Sequence, residues 1–160
     1  MNQPKAPLVQ ASNAAAARAQ PPKPVVIAMR LMYAGAAITA IGVVISIIAV
    51  LTGQNSLRAT HPTATVAQLH ATQNALVAVA VVSGLIEIGA WILMARVNRA
   101  GLKWARIAAT VLFGLATLNL IFRLTSTGAV ANLAYTAATW LAGAGAVFYL
   151  WQRESNAYFT

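Results

Sequence analysis

The sequence predicts an all-α fold, a four-helix transmembrane bundle of up-and-down topology preceded by a disordered amino-terminal tail. Three observations predict it. Four apolar runs, residues 31–51, 75–95, 107–122 and 129–151, hold a single acid or base between them, Glu87. A run of about 20 residues rising about 1.5 Å each matches a hydrocarbon core of roughly 30 Å. The composition, 59% hydrophobic and 8% charged, lies far from the soluble average of about 25% charged. Small soluble domains expose much of their surface, so a chain of 160 residues could not hide this much apolar area from water. Lipid is the solvent that fits. One bundle accounts for the length, without a second domain.

Taken in order, residues 1–24 are rich in Ala, Gln, Pro and Asn, with Lys5, Arg18 and Lys23 among them and no apolar period. Pro21-Pro22-Lys23-Pro24 favours an extended chain, so this segment is expected to be a flexible cytoplasmic tail. The prolines stop at Val25, where a first helix can begin, with its span at about 28–51. That run exceeds the about 7–15 residues of a signal-peptide core and ends in Ala49-Val50-Leu51 without a small-residue cleavage site. It is therefore expected to be a retained span.

Thr52-Gly53-Gln54-Asn55 supplies the Gly and Asn that follow helix ends. In the long connection to Asn74, Pro62-Thr63 and Thr65 are helix-start signals, and Val66, Leu69 and Leu76 share one helical face. The second helix should thus begin near Thr65, project beyond the bilayer, and cross it over 74–96. Asn98-Arg99-Ala100-Gly101 is a tight polar turn, which predicts antiparallel packing of the second helix on the third, spanning 104–123. Thr125-Ser126-Thr127-Gly128 predicts the same for the third and fourth, spanning 129–151, and residues 152–160 form a short cytoplasmic tail.

Charge sets the orientation. Lys5, Arg18, Lys23, Arg30, Arg96, Arg99, Lys103, Arg106 and Arg153 fall on one side of the spans, and Arg58 and Arg123 on the other. Basic residues in short loops favour the cytoplasm, so both termini should be cytoplasmic in a multi-pass protein of a plasma membrane. Tyr33, Trp104, Tyr149 and Trp151 lie near the same interface, where amphipathic rings settle. The net charge of +9 would suggest nucleic acid on a soluble face, but these cations flank spans and no nucleic-acid partner is expected. The expected partners are the bilayer and its anionic headgroups, with a homo-oligomer or a membrane-protein partner as a further possibility. Arg96, Arg99 and Lys103 could hold such headgroups, each cation adding about 1 kcal/mol, or could serve only to set topology.

Glu87 lies near the bilayer midplane, where a charged group costs about 2.5–3.5 kcal/mol. It must be protonated, paired or open to water. Folding the second helix onto the third about the 98–101 turn puts Glu87 opposite Val111, with Thr110 and Gly114 beside it and Arg106 about 7.5 Å toward the cytoplasm. Thr39 on the first helix has a similar depth. Glu87, Thr110 and Arg106 are therefore candidates for a proton or cation site facing a cavity, or for an interhelical polar contact. Trp91, one turn from Glu87, is either packed in the bundle or an aromatic wall. Ala36 and Ala40, Ser83 and Gly84, and Ala138, Ala142 and Ala146 offer small faces for close helix approach.

No catalytic constellation is legible. Cysteine and aspartate are absent, which excludes disulfides, thiolate metal sites and a thiol nucleophile. His61 and His70 stand apart from any carboxylate cluster and do not make a zinc site. No Ser-His-Asp set, phosphate loop or dinucleotide fingerprint occurs. No metal, no cofactor and no enzymatic activity are expected.

Trp91-Ile92-Leu93-Met94-Ala95-Arg96-Val97-Asn98-Arg99-Ala100-Gly101, with Trp104-Ala105-Arg106 and Thr110-Val111-Leu112-Phe113, resembles a group of small four-span actinobacterial integral membrane proteins. Arg30-Leu31-Met32-Tyr33-Ala34-Gly35-Ala36 and the ending from Leu150 to Phe159 share that resemblance. It implies four spans and a bacterial plasma membrane, and it transfers no catalytic or binding residue. The sequence thus points to a non-enzymatic accessory or interaction subunit, or a small homo-oligomer. The alternative is a small proton-coupled transporter using Glu87.

Overall fold

A computed structural model describes residues 21–125 and 130–159. Most of the expected tail and the turn at 126–129 lie outside the described residues. Among those described, all regular structure is helical: α1 (Lys23–Thr52), α2 (Gln54–Thr60), α3 (Val66–Arg99), α4 (Lys103–Thr125), α5 (Val130–Leu150) and α6 (Arg153–Asn156). Of these, α1, α3, α4 and α5 are long and apolar enough to cross a membrane.

Local chemistry sets the helix ends. Pro22 is extended and Pro24 sits in the first turn of α1, where a missing N–H costs nothing. The helix consequently starts at Lys23, before the prolines end. Thr65 caps α3 reciprocally: its Oγ1 accepts from Gln68 N at 3.3 Å, and Gln68 Oε1 accepts from Thr65 N at 2.8 Å. With 34 residues, α3 is about 51 Å long and exceeds a hydrocarbon core. The connection expected to be a loop contains α2. Here Gln73, buried on α3, donates from Nε2 to Val50 O at 2.9 Å and Leu51 O at 3.2 Å. Those carbonyls belong to the last turn of α1, which has no further intrahelical donors.

Contacts fix which helices meet. Along α1 and α3, Gly35 lies under Trp91, Thr39 reaches Glu87, and Val43 covers Gly84. Rising numbers on one helix meet falling numbers on the other, so the pair is antiparallel. Along α1 and α5, Leu31 lies against Gly145 and Gly42 against Tyr135, again antiparallel. Phe113 lies against Gly143 and Trp140, and Thr117 bonds Trp140, which seats α4 on α5. The expected packing of α3 on α4 forms only in part. The short turn reverses the chain, yet α1 and not α4 is the main neighbour of α3. Glycine explains the preference: a Cβ at Gly35 would lie 2.9 Å from the Trp91 ring, and one at Gly84 would collide with Val43. At Gly89 and Gly114, on α3 and α4, a Cβ would meet nothing within 4 Å.

Burial is inverted relative to a water-soluble bundle. The buried apolar residues are mostly alanines, among them Ala28, Ala36, Ala95, Ala105, Ala109, Ala142 and Ala146. Large side chains such as Ile45, Leu85, Ile86, Leu118 and Phe122 point outward. The main apolar cluster gathers Val25, Ala28, Met32, Ala95, Ala109, Ala146, Leu150 and Phe159. It therefore sits at the end where α1 begins and α3 and α5 finish.

Candidate functional site

Where α3 and α4 diverge, a cavity of about 330 Å³ opens between them and α5. Trp91 and Met94 line it from α3, Phe113 from α4, Tyr135 and Trp140 from α5, and Met32 from α1. Glu87 stands on its wall, the only carboxylate among the described lining residues. The carboxylate is exposed, and Thr39 Oγ1, fully buried on α1, donates to its Oε1 at 3.3 Å. Asn119, Thr136 and Thr139 add polar edges to an otherwise apolar lining. Phe113 and Trp140 are tilted at 39° with ring centroids 5.4 Å apart, and Trp140 Nε1 donates to Thr117 Oγ1 at 3.0 Å.

Of the residues considered beside Glu87, Thr39 meets it, whereas Thr110 and Arg106 bond elsewhere. Thr110 Oγ1 donates to Arg106 O at 2.9 Å and accepts from Trp151 Nε1 at 3.0 Å. Arg106 donates from Nη1 to Asn156 Oδ1 at 2.7 Å, and its guanidinium lies 3.7 Å from the centre of the Trp151 ring. Both residues thus belong to a second cluster, at the basic end. The polar contact of Glu87 goes to α1, because small residues let α3 approach α1 closely while the turn alone does not hold α4 against it. Trp91 packs on Gly35 and also lines the cavity.

The second cluster is built by the carboxyl-terminal segment, which sequence reasoning left as a short tail. Residues 151–159 fold back across the end of the bundle. Ser155 is fully buried and donates to Tyr149 O at 3.0 Å, and Phe159 is buried in the apolar cluster. The Tyr158 hydroxyl donates to Arg99 O. Gly101 has φ of 71°, and a Cβ there would lie 2.9 Å from the Tyr158 carbonyl, so both conformation and space call for glycine. Asn98 beside that turn is fully buried, with Nδ2 donating to Met94 O at 2.8 Å and Oδ1 unpartnered. Around this segment Arg96, Arg99 and Lys103 are exposed.

Tyr135, Trp140 and Asn119 were not anticipated as site residues. A signal was present on α5: Tyr135, Thr136, Thr139, Trp140 and Gly143 recur at three- and four-residue spacing, which marks one helical face. His61 and His70 are exposed, and no metal-holding group of three His, Cys, Asp or Glu side chains occurs among the described residues. The chain matches no protein-family model, no curated protein and no solved structure.

Proposed function

We propose that this chain is a multi-pass protein of a bacterial plasma membrane, an up-and-down four-helix bundle with both termini cytoplasmic, that works by binding and not by catalysis. Its role is that of an accessory subunit for a membrane partner, or of a small homo-oligomer. The observation that carries the placement is the inverted burial. No more than 17% of the apolar stretch of any of the four long helices is buried within the protein. Surfaces that apolar would associate in water, whereas lipid solvates them and leaves small residues to bring backbones together. Lys23, Arg30, Arg96, Arg99, Lys103, Arg106 and Arg153 share one end of the helices, which supports that end as cytoplasmic and in contact with anionic headgroups.

Single cysteines at the exposed positions Ser56 and Ala157 test the placement. In intact cells an impermeant thiol reagent should label the first and spare the second; the reverse pattern overturns the orientation. Purification in mild detergent should then recover a stoichiometric partner or a defined oligomer, and a monodisperse monomer without a partner counts against the accessory role.

One observation favours a second reading, proton-coupled transport. Glu87 stands on the wall of a cavity wide enough for a small molecule, where a proton and a substrate cation would compete for one carboxylate. Flux into proteoliposomes that follows an imposed proton gradient and collapses in Glu87→Gln would establish it. Flux indifferent to that substitution removes it.

A further inference from the structure

We infer that the cavity between α3, α4 and α5 binds an organic monocation, an amine or quaternary ammonium carrying an aromatic or branched apolar group. This goes beyond the accessory role proposed above, rests on the membrane placement, and names a ligand class for the cavity beside Glu87.

Size is the first constraint. A volume of about 330 Å³ lies at the low end of small-molecule pockets, which span roughly 300–1,000 Å³. A helix about 10 Å wide, from a partner or a second copy, could lie along the open seam but would reach this space only with single side chains, whereas a small molecule fills it.

Charge is the second. Glu87 is the one carboxylate on the described wall, and Thr39 donates to a single oxygen of it. A carboxylate on a largely apolar wall is matched by a cationic occupant and repels an anionic one. The whole chain has one other acid, Glu154, placed in α6 at the basic end, so a dication would leave its second charge unmatched. An inorganic cation fits poorly, because divalent ions demand about six or more oxygen ligands and the rest of the wall is largely apolar.

The aromatic rings are the third. Trp91 follows Glu87 by one turn on α3, and Phe113, Tyr135 and Trp140 line the same space. An ammonium group near indole and phenyl faces gains cation–π attraction, strongest where water is excluded. A lipid acyl chain would satisfy the apolar wall but would offer nothing to Glu87. A bare proton would need neither the space nor the rings.

The test uses the full chain in nanodiscs of zwitterionic phosphatidylcholine, with empty discs as the blank. Phenylbutyl-trimethylammonium and its neutral carbon-for-nitrogen isostere are compared by calorimetry. The unaltered chain should bind the cation saturably, one per chain, at least about tenfold tighter than the isostere. Equal affinities for the pair overturn the inference, and this comparison needs no variant. Glu87→Gln should bring the two affinities together, and Ala116→Phe, which places a ring in the cavity, should weaken both. Cation binding unchanged in Glu87→Gln also overturns it. So does disulfide crosslinking between Ala116→Cys chains with no cation binding, which would show a second copy filling the space. A chain that fails to enter the discs and stays soluble defeats the membrane reading itself. An inserted chain without saturable cation binding defeats the ligand class alone.

Discussion

The same four long helices are closed at their basic end and open at mid-depth. At the basic end Val25, Leu150 and Ala95 are fully buried, and the carboxyl-terminal segment crosses beneath them. Arg106 is held there by Asn156 and Trp151, and Tyr158 by Arg99. At mid-depth, Gly89 and Gly114 face open space and Glu87 borders a cavity. The difference teaches that a tight turn fixes chain direction and not packing. Between α3 and α4 it leaves an open seam, and closure near the turn comes from contacts with residues 41 to 59 positions further along.

The comparison can be broken or sharpened by substitution. The largest effect is expected from Phe159→Ala, which empties a buried site at the closed end. Removing an aromatic side chain from a packed core costs about 3 kcal/mol or more, and thermal or denaturant unfolding in micelles should show it. A loss below about 1 kcal/mol would mean that the terminal segment only rests against the bundle.

Gly84→Val comes next, at the tight seam of α1 on α3. The added side chain meets Val43, and overpacking of this kind costs about 1–3 kcal/mol. Its counterpart at the open seam, Gly89→Ala, meets nothing and should stabilise α3 by about 0.5 kcal/mol through helix propensity. Opposite signs for two glycines five residues apart on one helix would confirm which seam is closed. Matching losses would contradict it.

Arg106→Lys, between these two in size, keeps the charge but gives up the planar contact with Trp151. A cost of about 1 kcal/mol is expected, with a change in tryptophan emission as the second readout. An unaltered spectrum would place the guanidinium away from the indole.

The helices were legible because their signals are local. Thr65 and Gln68 are three residues apart and cap each other, so the start of α3 could be read from adjacent letters. Apolar length marked the four long helices for the same reason. Glu87 was visible as the lone acid within them, and Thr39 was legible only as a residue of similar depth, not as the one that bonds it. Thr110 and Arg106 were nearer through the turn, whereas Thr39, 48 positions away, makes the contact. The terminal segment was missed because short polar helices carry no apolar period, and α6 has only four residues.

Composition and local pattern alone determined that this chain forms long apolar helices, that α3 begins near Thr65, and that its cations gather at one end. These properties depend on neighbouring residues and on the solvent a side chain tolerates. Tertiary structure alone decided that α3 leans on α1, that residues 151–159 close the basic end, and that Glu87 borders a cavity. Each of those outcomes turns on which distant surfaces can approach closely, and that depends on glycines and rings brought together from separate helices.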